Sequence, residues 1–60
     1  MTKYFAFYDA LCGETFAVWA ADELGAWYRI YCLDPDWAET QVSLLGEVSF
    51  KEQEGMKQVF

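Results

Sequence analysis

The residues that could carry chemistry are few in this sequence: two cysteines, Cys12 and Cys32, and the carboxylates Asp34 and Asp36, in a chain without histidine. A closed zinc site needs four Cys or His ligands, so two thiols match no zinc pattern. A nucleophilic cysteine needs an activating group, and nothing basic lies near Cys12 in sequence. Two aspartates could bind a hard cation, but a calcium loop requires more oxygen ligands at fixed spacing. We therefore expect no enzymatic activity, no metal site and no cofactor.

The two cysteines leave a disulfide, redox or metal role open as one hypothesis. Disulfides form in oxidising compartments, and two cysteines are weak evidence for such a compartment. The interpretation that we favour is a pair of reduced thiols.

The charge of the chain indicates which partners it can have. Ten carboxylates stand against four basic side chains, which gives a formal net charge of −6. Nucleic acids and anionic lipids require Lys and Arg contacts to phosphates, so we expect neither as a direct partner. An acidic surface suits a basic protein surface and speeds the encounter with it. The alternative is that the acids only keep a small, aromatic-rich protein in solution.

Length and hydropathy predict a single domain, residues 1–60, in the cytoplasm. No apolar run approaches the ~18 residues that would span a membrane. The start of the chain lacks the basic and apolar regions of a signal peptide.

Segments rich in aromatic side chains, which suit a pleated and half-buried surface, predict a β-hairpin at the start of the chain. In the first strand, Lys3–Asp9, Phe5 and Phe7 share one face. Residues 15–20 form the second strand, and Gly13 marks the turn between the two.

A helix is predicted at Glu23–Leu33, with Asp22 as its N-cap and Asp34-Pro35 as its stop. The helix is apolar nearly all round, which is typical of a helix buried on more than one side. One small sheet can cover only one side. Some of its large side chains should therefore stay exposed or meet a second molecule, unless loops and Trp37 fold over them.

The second half of the chain is less regular. Residues 34–39 predict an acidic loop, in which Trp37 either caps the core or stands out as an anchor. Residues 41–50 alternate like a strand, with Gly46 at a bulge or bend. Ser49 and Glu52 match a capping box, which would begin a helix. The poor apolar periodicity that follows favours instead a turn and a last strand, arranged as a hairpin.

These elements predict an α+β fold of the order β-β-α-β, with an antiparallel sheet of three or four strands and one helix packed on a face. The predicted core consists of Phe5, Phe7, Phe16, Val18, Ala26, Ile30, Leu33, Val42 and Leu44. The opposite face of the sheet is expected to show Tyr4, Tyr8 and Trp19.

The junction between hairpin and helix resembles that of short phage-encoded proteins. A Gly-Glu-Thr-Phe-Ala-Val-Trp-Ala strand leads into the helix through Ala20, Asp22 and Ala26, with Gly25 where a Glu is usual. In size, charge and plan, residues 1–50 are similar to small acidic anti-CRISPR proteins. The resemblance implies a phage inhibitor that binds a Cas subunit of a type I CRISPR–Cas complex and blocks DNA or PAM recognition. It carries over no functional residues.

We expect a partner-binding surface where carboxylates accompany aromatic side chains, which commonly anchor interfaces. The candidate residues are Asp22, Glu23, Tyr28, Tyr31, Asp34, Asp36, Trp37 and Glu39. In the first hypothesis they dock the protein, as a monomer or weak homodimer, on a basic Cas surface and deny that surface to DNA. In the second, the chain is a small phage structural or assembly protein that self-associates through its apolar helix.

Overall fold

Residues 2–58, which the structure (a computed structural model) describes, form a four-stranded sheet and three helices. The elements are β1 (Lys3–Asp9), β2 (Glu14–Ala20), α1 (Glu23–Leu33), α2 (Pro35–Thr40), β3 (Val42–Val48), α3 (Phe50–Gln53) and β4 (Lys57–Gln58). The strand order is β3-β1-β2-β4. The predicted α+β class is confirmed. The sheet is mixed rather than wholly antiparallel, because β4 runs parallel to β2.

The predicted hairpin of β1 and β2 is confirmed. Its antiparallel register sets Phe7 opposite Phe16 and Ala6 opposite Ala17. Gly13 in the turn has a φ of 70°, a left-handed conformation that glycine adopts without steric cost.

Strand β3 adds to the free edge of β1 and contains the bulge that the sequence suggested. Ala6 pairs with Gly46 while the next residue, Phe7, pairs with Leu44, so that Leu45 has no partner in β1. Gly46 has a φ of 137°, which L side chains rarely adopt.

Helix α1 has the predicted bounds and cap. The backbone N–H of Gly25 donates to Asp22 Oδ1 at 2.7 Å. Ala26 and Ile30 are buried against the sheet, but Leu33 is 56% exposed, so its predicted core position is wrong. Leu33 is the last residue of α1, where the chain turns into α2.

The prediction of a loop at residues 34–39 is also wrong, because α2 forms there. The Asp34 carboxylate accepts from the backbone N–H groups of Asp36 and Trp37, at 3.1 and 3.3 Å. Pro35 takes the first helical position, where its missing N–H leaves no hydrogen bond unmade. The same Asp-Pro pair therefore stops α1 and starts α2.

The tail is not a hairpin, and the capping box is real. Ser49 Oγ accepts from the Glu52 N–H at 3.1 Å, and Glu52 Oε1 accepts from the Ser49 N–H at 3.3 Å. The short helix α3 then leads to β4, which pairs with β2 at Phe16 and Ala17. The last two residues of the predicted final strand, 59 and 60, lie outside the described residues.

The core lies between the sheet and the helices α1 and α2. It consists of Phe5, Phe7, Phe16, Val18, Ala20, Ala26, Ile30, Ala38 and Val42, with Trp27, Trp37 and Leu44 partly buried around it. Trp27 meets Phe7 edge-on, with ring centroids 5.0 Å apart. Leu44, a predicted core residue, packs against the core but is only partly buried, because β3 is an edge strand.

The opposite face of the sheet carries an aromatic cluster, as predicted, and α3 as well. Tyr8 and Trp19 are exposed, and the rings of Tyr4 and Trp19 lie 4.3 Å apart. The ring of Phe50 in α3 lies 6.0 Å from that of Tyr4. These large side chains surround Ala6 and Ala17, which are only 1% and 0% exposed although they point away from α1.

Candidate protein-binding surface

Residues 22–40, which comprise α1, α2 and their N-caps, contain all eight residues predicted to bind a partner. We call this part of the fold the helical layer. It carries five carboxylates and one basic group, Arg29, and thus four of the six net negative charges of the chain. The remaining residues hold five carboxylates and three lysines. The charge is therefore concentrated on one side of the sheet.

The acids of the helical layer do not form one cluster. Asp22 and Glu23 lie at the start of α1, whereas Asp34 and Asp36 lie where α1 ends and α2 begins. At 1.5 Å per helical residue, Asp22 and Asp34 are about 18 Å apart along the axis of α1. Glu39 is exposed in the last turn of α2.

Between the two acidic ends, α1 presents an apolar surface away from the sheet. Leu24 is 79% exposed, Tyr28 is 70% exposed and Tyr31 is 37% exposed. We call these three residues, spaced by four and three positions, the outer stripe. They lie on the opposite side of the helix from Ala26 and Ile30. Of the alternatives that the sequence left open, the structure shows exposure rather than cover by loops.

A groove of about 460 Å³ runs beside Tyr28, and no pattern in the sequence predicted it. It is lined by Ala20, Ala21, Gly25, Tyr28, Arg29 and Cys32. The groove is open because the chain has two alanines and a glycine where β2 passes into α1. A Cβ on Gly25 would lie 3.1 Å from Asp22 Oδ1 and would crowd the cap. Gly25 thus allows a close cap and an open groove.

Trp37 caps the core and is not a free-standing anchor. Its ring stacks on Phe16, with centroids 5.5 Å apart and an interplanar angle of 25°. Its indole Nε1–H donates to Asp9 Oδ2 at 3.0 Å. Helix α2 turns Trp37 inwards, so the exposed anchors of the helical layer are Tyr28 and Tyr31, with Leu24.

Asp9, at the end of β1, joins Trp37 to the hairpin turn, an arrangement that sequence reasoning missed. Its Oδ1 accepts from the Leu11 N–H at 2.9 Å. Desolvation raises the pKa of Asp9, but the hydrogen bonds from Trp37, Leu11 and Cys12 together outweigh it and lower that pKa below its usual value. The Asp9 charge in turn raises the pKa of the Cys12 thiol, and its hydrogen bond with the thiol adds to this effect.

The raised pKa of Cys12 disfavours the thiolate, which is the reactive form of a cysteine. Cys12 and Cys32 are both free and exposed. Within residues 2–58, no three His, Cys, Asp or Glu side chains are grouped so that they could hold a metal ion. In the same part of the chain, no helix has the length and apolar character needed to cross a membrane.

No protein-family model, curated protein or solved structure matches this chain.

Proposed function

We propose that this protein is an acidic binding protein whose helical layer docks on a basic surface of another protein. The observation that carries the proposal is the concentration of charge, four net negative charges on one side of the sheet, next to the exposed outer stripe. Carboxylates at the rim of an interface speed the encounter with a basic partner. Exposed tyrosines supply the buried contact area that holds a complex together. The proposal gives the protein no catalytic role.

The partner that we propose is a Cas subunit of a type I CRISPR–Cas complex, in the cytoplasm of a phage-infected bacterium. Its support is the resemblance to small acidic anti-CRISPR proteins, together with a physical argument. CRISPR effector complexes hold nucleic acid in positively charged channels. Two acidic groups about 18 Å apart, at 1.5 Å per helical residue, can meet several Lys or Arg side chains of such a channel. DNA is then excluded from the channel.

The test is competition for DNA. A purified type I complex is incubated with target DNA and increasing amounts of the protein, and bound DNA is measured by gel shift. The proposal predicts that wild-type protein displaces DNA and that the displacement weakens as salt rises, since exposed charges are screened. Failure to displace DNA at any salt concentration would reject a Cas subunit as the partner.

Two matched charge reversals locate the surface. Glu39→Lys changes the helical layer, while Glu54→Lys makes the same change at the C-cap of α3, a helix that lies on the other side of the sheet. Both residues are exposed and lie at the C-terminal end of a short helix. Glu39→Lys replaces an attraction to the basic partner by a repulsion, each worth about 0.2–1 kcal/mol. The Kd of the variant should therefore be about 2- to 30-fold higher than that of the wild type. If the two variants weaken binding equally, the helical layer is not the binding surface.

Asp34 is not a useful position for this experiment. Its carboxylate caps α2 through two backbone N–H groups. Replacing an N-cap costs about 0.5–2 kcal/mol, which would mix lost stability with lost binding.

Self-association is the second candidate function, and the exposure of Leu24 and Tyr28 favours it. In this case the outer stripe of one molecule would pack on that of another, as in a phage structural or assembly protein. A mass that rises with concentration in light scattering, and that returns to the monomer value in Tyr28→Ser, would support it. A constant monomer mass would reject it.

A further inference from the structure

We infer that the outer stripe and the groove beside it accept a basic amphipathic helix of the partner protein. This inference rests on the proposed function, because it names the part of the basic partner that the helical layer binds. The surface has an apolar centre, formed by Leu24, Tyr28 and the groove, between two acidic ends. A matching ligand has apolar side chains in its middle and cations on both sides of them.

The dimensions fit a helix laid along α1. The acidic ends, marked by Asp22 and Asp34, are about 18 Å apart at 1.5 Å per helical residue. A ligand helix spans this distance in about 12 residues, with apolar side chains at helical spacing facing the outer stripe. The groove takes one of these side chains, because its wall at Ala20, Ala21 and Gly25 has no atoms beyond Cβ. Arg29 also lines the groove and is the one basic group of the helical layer.

A second copy of the chain fits this surface poorly. Both ends of the outer stripe are acidic, so any alignment of two α1 helices along each other brings carboxylates opposite carboxylates. Two copies would also combine a formal charge of −6 each. An anionic lipid surface meets the same repulsion. A basic helix places cations opposite the carboxylates at both ends of the outer stripe. Charge complementarity therefore favours a basic helix over a second copy or an anionic lipid.

The probe is a synthetic peptide of about 18 residues, roughly 27 Å long as a helix. It carries leucines along one helical face and lysines near both ends. A second peptide has the same composition in an order that destroys the apolar face. Binding of both labelled peptides to the full chain is measured by fluorescence anisotropy. We expect the amphipathic peptide to bind at least tenfold more tightly than the scrambled one.

Four variants connect this binding to the surface. Tyr28→Ser should weaken it at least tenfold, whereas Tyr8→Ser, on the opposite face of the sheet, should leave it unchanged. Ala21→Phe adds apolar area but fills the groove, so it should also weaken binding. Circular dichroism checks that each variant is folded.

Glu39→Lys should lower the association rate of the peptide and the salt dependence of that rate, while Tyr28→Ser should mainly raise the dissociation rate.

The outcomes separate the inference from the proposed function. Equal binding of the two peptides, or no effect of Tyr28→Ser and Ala21→Phe, overturns the inference. DNA competition that depends on Glu39 would then still support the proposed function. A dimer that buries the outer stripe and excludes the peptide overturns the inference in favour of a second copy. Absence of both peptide binding and DNA competition removes both proposals.

Discussion

Truncating Ile30 and Leu24 to alanine tests which face of α1 the protein buries. Ile30 is fully buried in the core, whereas Leu24, six residues earlier on the same helix, is 79% exposed. Truncating a buried Ile to Ala costs about 2–5 kcal/mol, because apolar contacts are lost and a cavity remains. Truncating an exposed Leu should change the free energy of unfolding by less than about 0.5 kcal/mol.

The comparison is controlled, since both variants remove an apolar side chain from one helix and leave alanine. In a domain of this size, 1 kcal/mol shifts the Tm by about 4–8 °C. Ile30→Ala should therefore lower the Tm by at least about 8 °C, and Leu24→Ala by no more than about 4 °C. If Ile30→Ala does not fold, Ile30→Val gives a graded loss of about 0.5–1.5 kcal/mol.

Urea unfolding followed by tryptophan fluorescence gives the free energies. Similar losses in Leu24→Ala and Ile30→Ala would refute the assignment of faces. The outer stripe would then be covered in the free protein, and the helical layer would lack the apolar centre on which the binding proposals depend.

Three further predictions concern the bulge in β3, the N-cap of α3 and the carboxylate at the end of β1. Gly46→Ala should lower the free energy of unfolding in urea by roughly 1–3 kcal/mol, because a side chain strains the backbone at a φ of 137° even though nothing lies within 4 Å of the new Cβ. Gly55→Ala is the control, since its Cβ is equally unobstructed and its φ is not positive. This variant should leave the stability unchanged or raise it slightly. Ser49→Ala should lower the free energy of unfolding by about 0.5–2 kcal/mol and speed amide hydrogen exchange in α3, because the N-cap is lost. Unchanged amide exchange would contradict the capping box. The pKa of Asp9 is lower in the folded protein than in the unfolded chain, so the stabilisation by its carboxylate is complete above the unfolded pKa and is lost as the pH falls through the folded pKa. Asp9→Asn should therefore lose less free energy of unfolding than the wild type as the pH is lowered. An equally steep loss in the variant would mean that other carboxylates cause it.

The parts of the fold that the sequence predicts are those with local signals that agree. The first two strands follow from the aromatic-rich segments on either side of Gly13, and α1 follows from the cap at Asp22 and the stop at Pro35. Each signal lies within the element that it specifies, so no knowledge of tertiary contacts was needed.

The parts that could not be predicted are those where a local signal has two meanings or where tertiary packing decides. Asp34-Pro35 ends one helix and begins another, and only the burial of Ala38 and Trp37 shows that α2 forms. The capping box at Ser49 competed with poor apolar periodicity, which matters little for a four-residue helix that packs on β1. The parallel pairing of β4 spans only two residues of that strand and leaves no periodic pattern.

The candidate surface was predicted in composition but not in arrangement. The sequence indicated that tyrosines and carboxylates of residues 22–39 belong to a binding surface, and this remains a prediction. The predicted helix already placed Asp22 and Asp34 at its two ends, but the sequence did not indicate that Trp37 turns inwards to bond Asp9. That contact depends on the presence of α2, which sets the direction of the chain after α1.

Chemical-shift mapping shows directly whether the helical layer is the binding surface. The ¹⁵N-labelled protein is titrated with the lysine-rich amphipathic peptide, and backbone amide shifts are followed. If the helical layer binds the peptide, the largest shifts fall within residues 22–40, including Leu24, Tyr28 and Glu39. Shifts centred instead on the aromatic cluster of Tyr4, Trp19 and Phe50, across the sheet, would contradict it.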